Sequence, residues 1–362
     1  MNTDRVDGPE RLENDARPAR RATWLVLAVA VVLVAGLGVV RFTGVLPGPT
    51  PPTPGPSPTE TRLGGWPEGI GGGTLYVLDA EGVASVDVSS GRVQRSALRI
   101  DPTLVSLAAG GAGVLVWYPD GNGTPHLVAA RSADTPTVGP VLARARQVLP
   151  GPGESMWTTE EVGLDDEGTP DRWRLVGTDD TVLDTVSLTG TVKADGAGGL
   201  FVHGADARVV HVVDGEPSTT WRGGTGAVGL QGWEERRCVR GTCRSALHDR
   251  SSGAETPLTR VTSSDFQAPV LSLGSRFVAS LQPPSGSRDD RLVVRVAVPG
   301  AERALRSFPA SDENGNGLVW LSDRWLAASG DTGLVLYDAV DDRLVPLDST
   351  LVLPRELVLR PV

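Results

Sequence analysis

The stretch GTLYVLDAEGVASVDVSSGRV, Gly73–Val93, decides how this chain is read. Three runs of apolar or alternating residues, LYVL, VASVDV and RV, are separated by DAEG and SSG. Short runs rich in Val, Leu and Tyr between Gly, Asp and Ser clusters mark β-strands joined by tight turns. The second turn returns along the chain. SVDVSSGRV at Ser85–Val93 is matched by LHDRSSGAE at Leu247–Glu255 and LYDAVDDRL at Leu336–Leu344. Weaker copies stand at His126–Asp134, Arg174–Val182, Val209–Pro217 and Val293–Ala301. Anchored four residues before the end of each turn, the copies fall at Asp87, Ala130, Val176, His211, Asp249, Val296 and Asp338. Successive spacings are 43, 46, 35, 38, 47 and 42 residues.

A period near forty with several strands per repeat is the pattern of a propeller blade, and these copies predict an all-β, seven-bladed β-propeller over residues 74–362. One four-stranded sheet cannot bury both its faces alone; radial stacking buries them and leaves only short edges. The first repeat has three strands, near Leu75–Leu78, Val83–Val88 and Val93–Leu98. It lacks an innermost one, and the C-terminal segment TLVLPRELVLRPV (Thr350–Val362) is expected to supply it. The second repeat is expected to hold strands near Thr103–Ala108, Gly113–Tyr118, His126–Arg131 and Thr137–Leu142.

The first repeat resembles the repeats of PQQ-type (quinoprotein-like) and YVTN/WD40-like propellers, whose strands are joined by D-x-x-G and D-x-x-[ST]-G-[KR] turns. The resemblance implies architecture rather than an activity. Quinoprotein dehydrogenases carry a tryptophan-docking motif in most blades. Trp117, Trp157, Trp173, Trp221, Trp233, Trp320 and Trp325 fall at irregular phases here, so no PQQ and no other cofactor is expected.

Upstream, ATWLVLAVAVVLVAGLGVV (Ala22–Val40) is uncharged and nineteen residues long. As a helix it would reach about 28 Å, close to the hydrocarbon thickness of a bilayer. Residues 22–42 are therefore expected to form one transmembrane helix, with residues 22–40 in contact with lipid. A cleaved signal peptide is the rival reading, disfavoured by the length of the apolar run and the want of a small-x-small cleavage site. Arg17, Arg20 and Arg21 crowd its N-terminal side, which places residues 1–21, an expected disordered tail, in the cytoplasm and the rest outside. PGPTPPTPGPSP (Pro47–Pro58) favours extended polyproline II geometry. With the glycines of residues 64–73 it predicts a Pro/Gly-rich linker over residues 43–73.

The 362 residues carry a net charge of −10, and residues 42–362 hold 28 basic against 39 acidic groups. An acidic ectodomain argues against nucleic acid as a partner. A single lysine, Lys193, stands against thirty-three arginines; with the abundance of Gly, Ala, Val and Pro this fits a GC-rich bacterial genome.

Cys238 and Cys243 in CVRGTC would face each other if Arg240-Gly241 is a two-residue hairpin turn, at a Cα separation suited to a disulfide. Outside the membrane that bond is expected to form; a redox pair or metal ligands are the alternatives. Asp312-Glu313-Asn314-Gly315-Asn316-Gly317, with Val319 and Asp323 behind it, follows the opening of a calcium loop, and also reads as a turn before a strand. Asp165, Asp166, Glu167 and Asp171 form a second acidic loop, read as a hairpin tip. Gly224, Gly226 and Gly229 spell G-x-G-x-x-G without the helix a dinucleotide site needs, and read as an inter-blade loop. His126, His203, His211 and His248 are scattered among predicted strands, and no nucleophile elbow or metalloprotease motif appears. No catalytic, cofactor or metal residue is assigned. The expected task is an envelope binding or scaffolding module that meets proteins or glycans; the alternative is an extracytoplasmic hydrolase or lyase acting at the central channel.

Overall fold

The computed structural model describes residues 61–362 except 97, 99–104, 111–112, 119–122, 130–137, 161–170, 241, 259–266, 283–290, 297–301, 305–316, 331–332, 348–350, 353 and 362. The expected tail, the expected transmembrane helix and most of the expected Pro-rich linker lie outside the described residues, as do Asp165–Glu167 and Asp312–Asn316. Among the described residues no helix is long and apolar enough to cross a membrane. Residues 58–362 form one compact unit.

That unit is all-β and is built from successive antiparallel meanders. The first holds β1 (Thr61–Arg62), β2 (Thr74–Asp79), β3 (Gly82–Asp87) and β4 (Arg92–Arg95). Next come β5 (Ser106–Gly110), β6 (Gly113–Trp117) and β7 (His126–Ala129), then β8 (Gln147–Pro150), β9 (Met156–Thr159), β10 (Asp171–Val176) and β11 (Val182–Leu188). A fourth meander comprises β12 (Thr191–Ala194), β13 (Leu200–His203), β14 (Arg208–Val213) and the first half of β15 (Glu216–Val228). The second half of β15 opens a fifth with β16 (Gly232–Val239), β17 (Thr242–Asp249) and β18 (Glu255–Leu258). Then follow β19 (Gln267–Leu271), β20 (Phe277–Gln282), β21 (Arg291–Val296) and β22 (Glu302–Ala304), and β23 (Leu318–Trp320), β24 (Trp325–Gly330), β25 (Gly333–Asp338) and β26 (Arg343–Pro346). The last strand, β27 (Glu356–Arg360), returns to the first meander. It pairs antiparallel with β2, Tyr76 opposite Val358. The C-terminal segment thus provides the innermost strand that the first repeat lacks.

Burial follows strand order. The second strands β2, β6 and β24 are buried at every position, whereas the outer strands β11 and β26 are mostly exposed. A strand covered on both faces has no solvent side, so its sequence is a continuous apolar run rather than an alternation. LYVL, VLVW and WLAA follow from that. Each hydrophobic cluster joins neighbouring meanders. Tyr76 packs with Val114, Leu115 with Val148, Trp157 with Leu200, and Phe201 with Trp233. Leu247 packs with Val278, Phe277 with Trp320, and Trp325 back with Leu75. The last contact makes the array closed and propeller-like. Burying a side chain such as Leu or Phe contributes roughly 1.5–3 kcal/mol, so stability resides in the stacking of sheets rather than in any one of them.

The repeated turn is built the same way in its best copies. Asp87 Oδ1 accepts from Ser89 Oγ and from the N–H and Oγ of Ser90; Asp249 Oδ1 accepts the same set from Ser251 and Ser252. Asp338 Oδ1 takes the N–H groups of Val340 and Asp341. Four residues past the anchor the backbone is left-handed wherever it is described: Gly91 (φ 68°), Asp180 (64°), Gly215 (78°), Gly253 (68°) and Asp342 (53°). Only Gly, and at lower frequency Asn or Asp, adopts that conformation readily. The turn therefore selects D-x-x-S-G or its Asp-ended variant.

Three expectations need correction. The linker does not extend to residue 73: β1 pairs with β4, and Leu63, Trp66 and Ile70 are buried in the core between the first and last meanders. Trp66 Nε1 donates to Val88 O at 2.9 Å, so the glycines around it serve turns within the fold. The strand expected over Thr137–Leu142 is replaced by a turn and a 3-10 helix, Leu142–Arg144. Gly139 and Pro140 interrupt any ladder there. The Asp180 carboxylate accepts the Val141 and Leu142 N–H groups at 2.8 and 3.0 Å, holding the helix start. Gly224 and Gly226 lie not in a loop but within β15, which runs from the outer edge of one meander into the inner edge of the next. Gly223 sits where β15 changes partner from β14 to β16; a Cβ there would collide with Arg236 O.

Candidate functional site

The inner strands β27, β5, β8 and β12 lie against one another in succession, as do β15, β19, β23 and β27. Together they surround a central cavity of about 560 Å³. Its wall is mostly apolar, with Leu107, Val148, Leu149, Val270, Leu318 and Leu357 among the lining residues. The polar lining includes Ser106, Gln147, Lys193, Thr225 and Glu356. Glu356 is buried and its Oε2 accepts the Leu107 N–H at 3.0 Å, tying β27 to β5. Lys193 is exposed on β12. Trp117 is buried against the cavity, and its indole N–H has no hydrogen-bond partner among the described residues. Thr225 Oγ1 lies 3.1 Å from His203 Nε2. Burial first, and then the Lys193 charge, hold the His203 pKa below its ordinary value and favour neutral imidazole.

A second cavity, about 300 Å³, lies where the fourth and fifth meanders meet and brings together Asp195, His211, Trp233, His248 and Arg250. Asp195 Oδ1 accepts the N–H groups of Ala197 and Gly199, both at 2.8 Å. Its Oδ2 accepts His211 Nε2 at 2.9 Å and Arg250 Nη1 at 2.7 Å. Arg250 also donates to Asp195 O and to Leu230 O. Burial pushes the Asp195 pKa up, but the His211 hydrogen bond and the Arg250 charge outweigh it, and the carboxyl stays below its ordinary range. His248 stacks on Trp233 with ring centroids 4.0 Å apart, and the Arg250 guanidinium carbon lies 4.9 Å from the Trp233 ring centre. Every oxygen of the carboxylate is engaged from within the fold. The cluster has the chemistry of a clamp between sheets rather than of a general base waiting for a substrate.

The sequence marks His211 and His248 but not their partners. Asp195 sits in ADGAGG, an Asx turn between strands, and Arg250 directly follows the Asp249 anchor of a repeated turn. That position in the repeat was the available signal. His126 lies on β7, apart from either cavity. Cys238 and Cys243 are directly opposite in the β16–β17 register, and Val239 pairs with Thr242, leaving Arg240 and Gly241 as the connection. Arg240 has φ 50°, as a primed hairpin turn requires. Asp323, the last position of the calcium-loop pattern, accepts the Gly274 N–H instead. Asp171 opens β10. Among the described residues no group of three or more His, Cys, Asp or Glu is arranged to hold a metal ion.

Fold and cavity define a class, an all-β propeller-like protein with a central cavity. No known family matches the chain. No curated protein matches it either. Among solved structures it is similar to TolB from Acinetobacter baumannii, with 16% identity over 82% of this chain and 69% of that one, TM-score 0.42. It is similar to a protein from Lactobacillus plantarum at 13% identity, covering 80% and 99% of the two chains, TM-score 0.48. It is also similar to the Cps50 (Swd1) β-propeller domain from Myceliophteria thermophila, at 12% identity over 74% and 98%, TM-score 0.45.

Proposed function

We propose that this chain is a binding or scaffolding module of a bacterial cell envelope, a seven-bladed β-propeller held outside the membrane by one transmembrane helix. In this reading residues 22–42 span the bilayer, the N-terminus is cytoplasmic, and a Pro-rich segment ending near residue 60 is the stalk. Seven blades are supported by the inner strands that share one cavity wall and by the apolar clusters that link each meander to the next. A Cys238–Cys243 disulfide is supported by their direct register and fits an oxidising compartment.

The observation that carries binding over catalysis is how the acidic groups are used. Glu356 in the central cavity holds the Leu107 N–H, and Asp195 in the second cavity is saturated by four donors. Groups committed to the fold leave the surfaces of a rigid disc as the functional element, and such surfaces suit envelope proteins or glycans. The test is retention. Residues 58–362 are immobilised and exposed to solubilised envelope from the host, with and without calcium. Retention of one defined protein or glycan, abolished by competing soluble domain, supports the module. Turnover of an envelope glycan by the same preparation would replace it with the hydrolase or lyase reading.

A further inference from the structure

We propose that a cationic groove between the fourth and fifth meanders binds an acidic glycan, a saccharide chain that carries negative charge on successive residues. This deepens the envelope reading and rests on it, since it names the class of envelope ligand and the patch of surface that takes it.

The groove, about 620 Å³, is lined by Thr219, Thr220, Trp221 and Arg222 of β15 and by Arg237 to Arg240 of the β16 hairpin. That lining holds three arginines and no carboxylate among the described residues. The hairpin itself, RRCVRGTCR (Arg236–Arg244), has four arginines in nine residues and no acid, in a chain of net charge −10. These arginines stand where the fold alone disfavours them. Like charges directly opposite on paired strands are destabilising. Yet Arg208 is opposite Arg222 in β14–β15, and Arg237 is opposite Arg244 in β16–β17. One member of each pair is neutralised from within the fold, Arg208 by Asp206 at 3.4 Å and Arg237 by Glu235 and Glu255. Arg222, Arg240 and Arg244 are exposed and form no ion pair with any described residue. Their charge is available to a ligand, unlike that of Asp195 or Glu356.

A guanidinium fork matches the paired oxygens of a carboxylate or phosphate. One anion would engage one or two such forks; charge spread over two meanders suits a chain with repeated acidic groups. The same groove sets the Thr219 and Thr220 hydroxyls beside Trp221 and Val239, the latter 68% exposed. Hydroxyls serve the hydroxyl groups of sugar rings, and the apolar side chains serve their C–H faces. An acidic peptide would use the charges without that mixture.

The test is equilibrium binding by the full chain in zwitterionic lipid nanodiscs, with carboxymethyl-dextran, uncharged dextran and polyglutamate as probes. Carboxymethyl-dextran is expected to bind saturably and dextran not at all. Polyglutamate of matched charge density is expected to bind at least about fivefold more weakly than carboxymethyl-dextran. Arg222→Gln combined with Arg240→Gln is expected to weaken carboxymethyl-dextran binding by about tenfold or more. Arg172→Gln, which alters an exposed arginine on β10, is expected to leave binding unchanged. Because Arg222→Gln removes a like-charge opposition, that single variant is expected to keep its melting temperature within about 2 °C of the parent or to raise it. A larger fall would make Arg222 a structural residue and overturn the proposal. So would no binding of carboxymethyl-dextran, equal binding of dextran or polyglutamate, unchanged affinity in the double variant, or an equal loss in Arg172→Gln. Retention of an envelope protein would survive each of these results, so the two readings fail separately.

Discussion

The Glu356 carboxylate, at the start of the last strand, accepts the backbone N–H of Leu107 at 3.0 Å, across 249 positions of sequence. Both groups are buried. One side chain thus fastens the C-terminal strand β27 to β5, after the backbone of β27 has already paired with β2. E356A would leave a buried N–H unsatisfied and is expected to destabilise the domain by about 1–3 kcal/mol, whereas E356Q keeps an acceptor and should lose less. Urea unfolding of the two variants measures the difference.

The left-handed position of the repeated turn gives a second, comparative prediction. Gly91 and Gly253 share φ 68°, but a Cβ at Gly91 would collide with the Trp66 ring, while nothing lies within 4 Å of one at Gly253. G253A should therefore cost only backbone strain, about 1–2 kcal/mol. G91A should cost that and the displacement of a buried tryptophan. Equal melting temperatures for the two variants would contradict this account of the turn.

Asp338 predicts an acid-sensitive term. Burial raises its pKa, but the paired hydrogen bonds from Arg324, at 2.8 and 2.6 Å, and the Val340 and Asp341 N–H groups carry it down to about 2. A carboxyl whose folded pKa is depressed stabilises the protein fully above its unfolded value. That contribution disappears as pH falls from the ordinary 3.8 through about 2. D338N, which cannot ionise, should lose stability at neutral pH and show a shallower decline across that window. Thermal melts from pH 5 to about pH 2 read both effects.

How much of this was legible beforehand depends on whether a feature is local. The D-x-x-S-G turn writes its geometry into adjacent residues, because Asp caps the backbone two and three positions on and Gly supplies the left-handed φ. The repeat could therefore be read from Ser85–Val93 alone. The missing inner strand was legible because a meander one strand short and a surplus apolar segment at the chain's end fit each other. Trp66 was not, since a tryptophan among glycines reads as linker until the groove between the first and last sheets is seen to need filling. Nor were the cavities. Lys193, Trp117 and Glu356 come from three different meanders, and Asp195 and Arg250 from two; no spacing rule connects residues that meet only when the sheets stack.

The cysteine hairpin carries a test of compartment as well as of structure. If Cys238 and Cys243 are bonded, the purified protein should show no reactive thiol until reductant is added. Reduction should then cost about 2 kcal/mol on the chain-entropy account of so short a loop. Two titratable thiols in protein isolated under thiol-blocking conditions would argue against an oxidising location.

The central claim is that the C-terminal segment closes the array by completing the first meander. Deleting residues 349–362 tests it most directly. Leu351 and Leu357 are buried in the cluster shared by the first and last meanders, and β27 supplies the ladder to β2. With each such side chain contributing roughly 1.5–3 kcal/mol, the deletion should lower the melting temperature by about 10 °C or more, or prevent folding. A truncated protein that melts within about 1 °C of the full-length chain would contradict the claim.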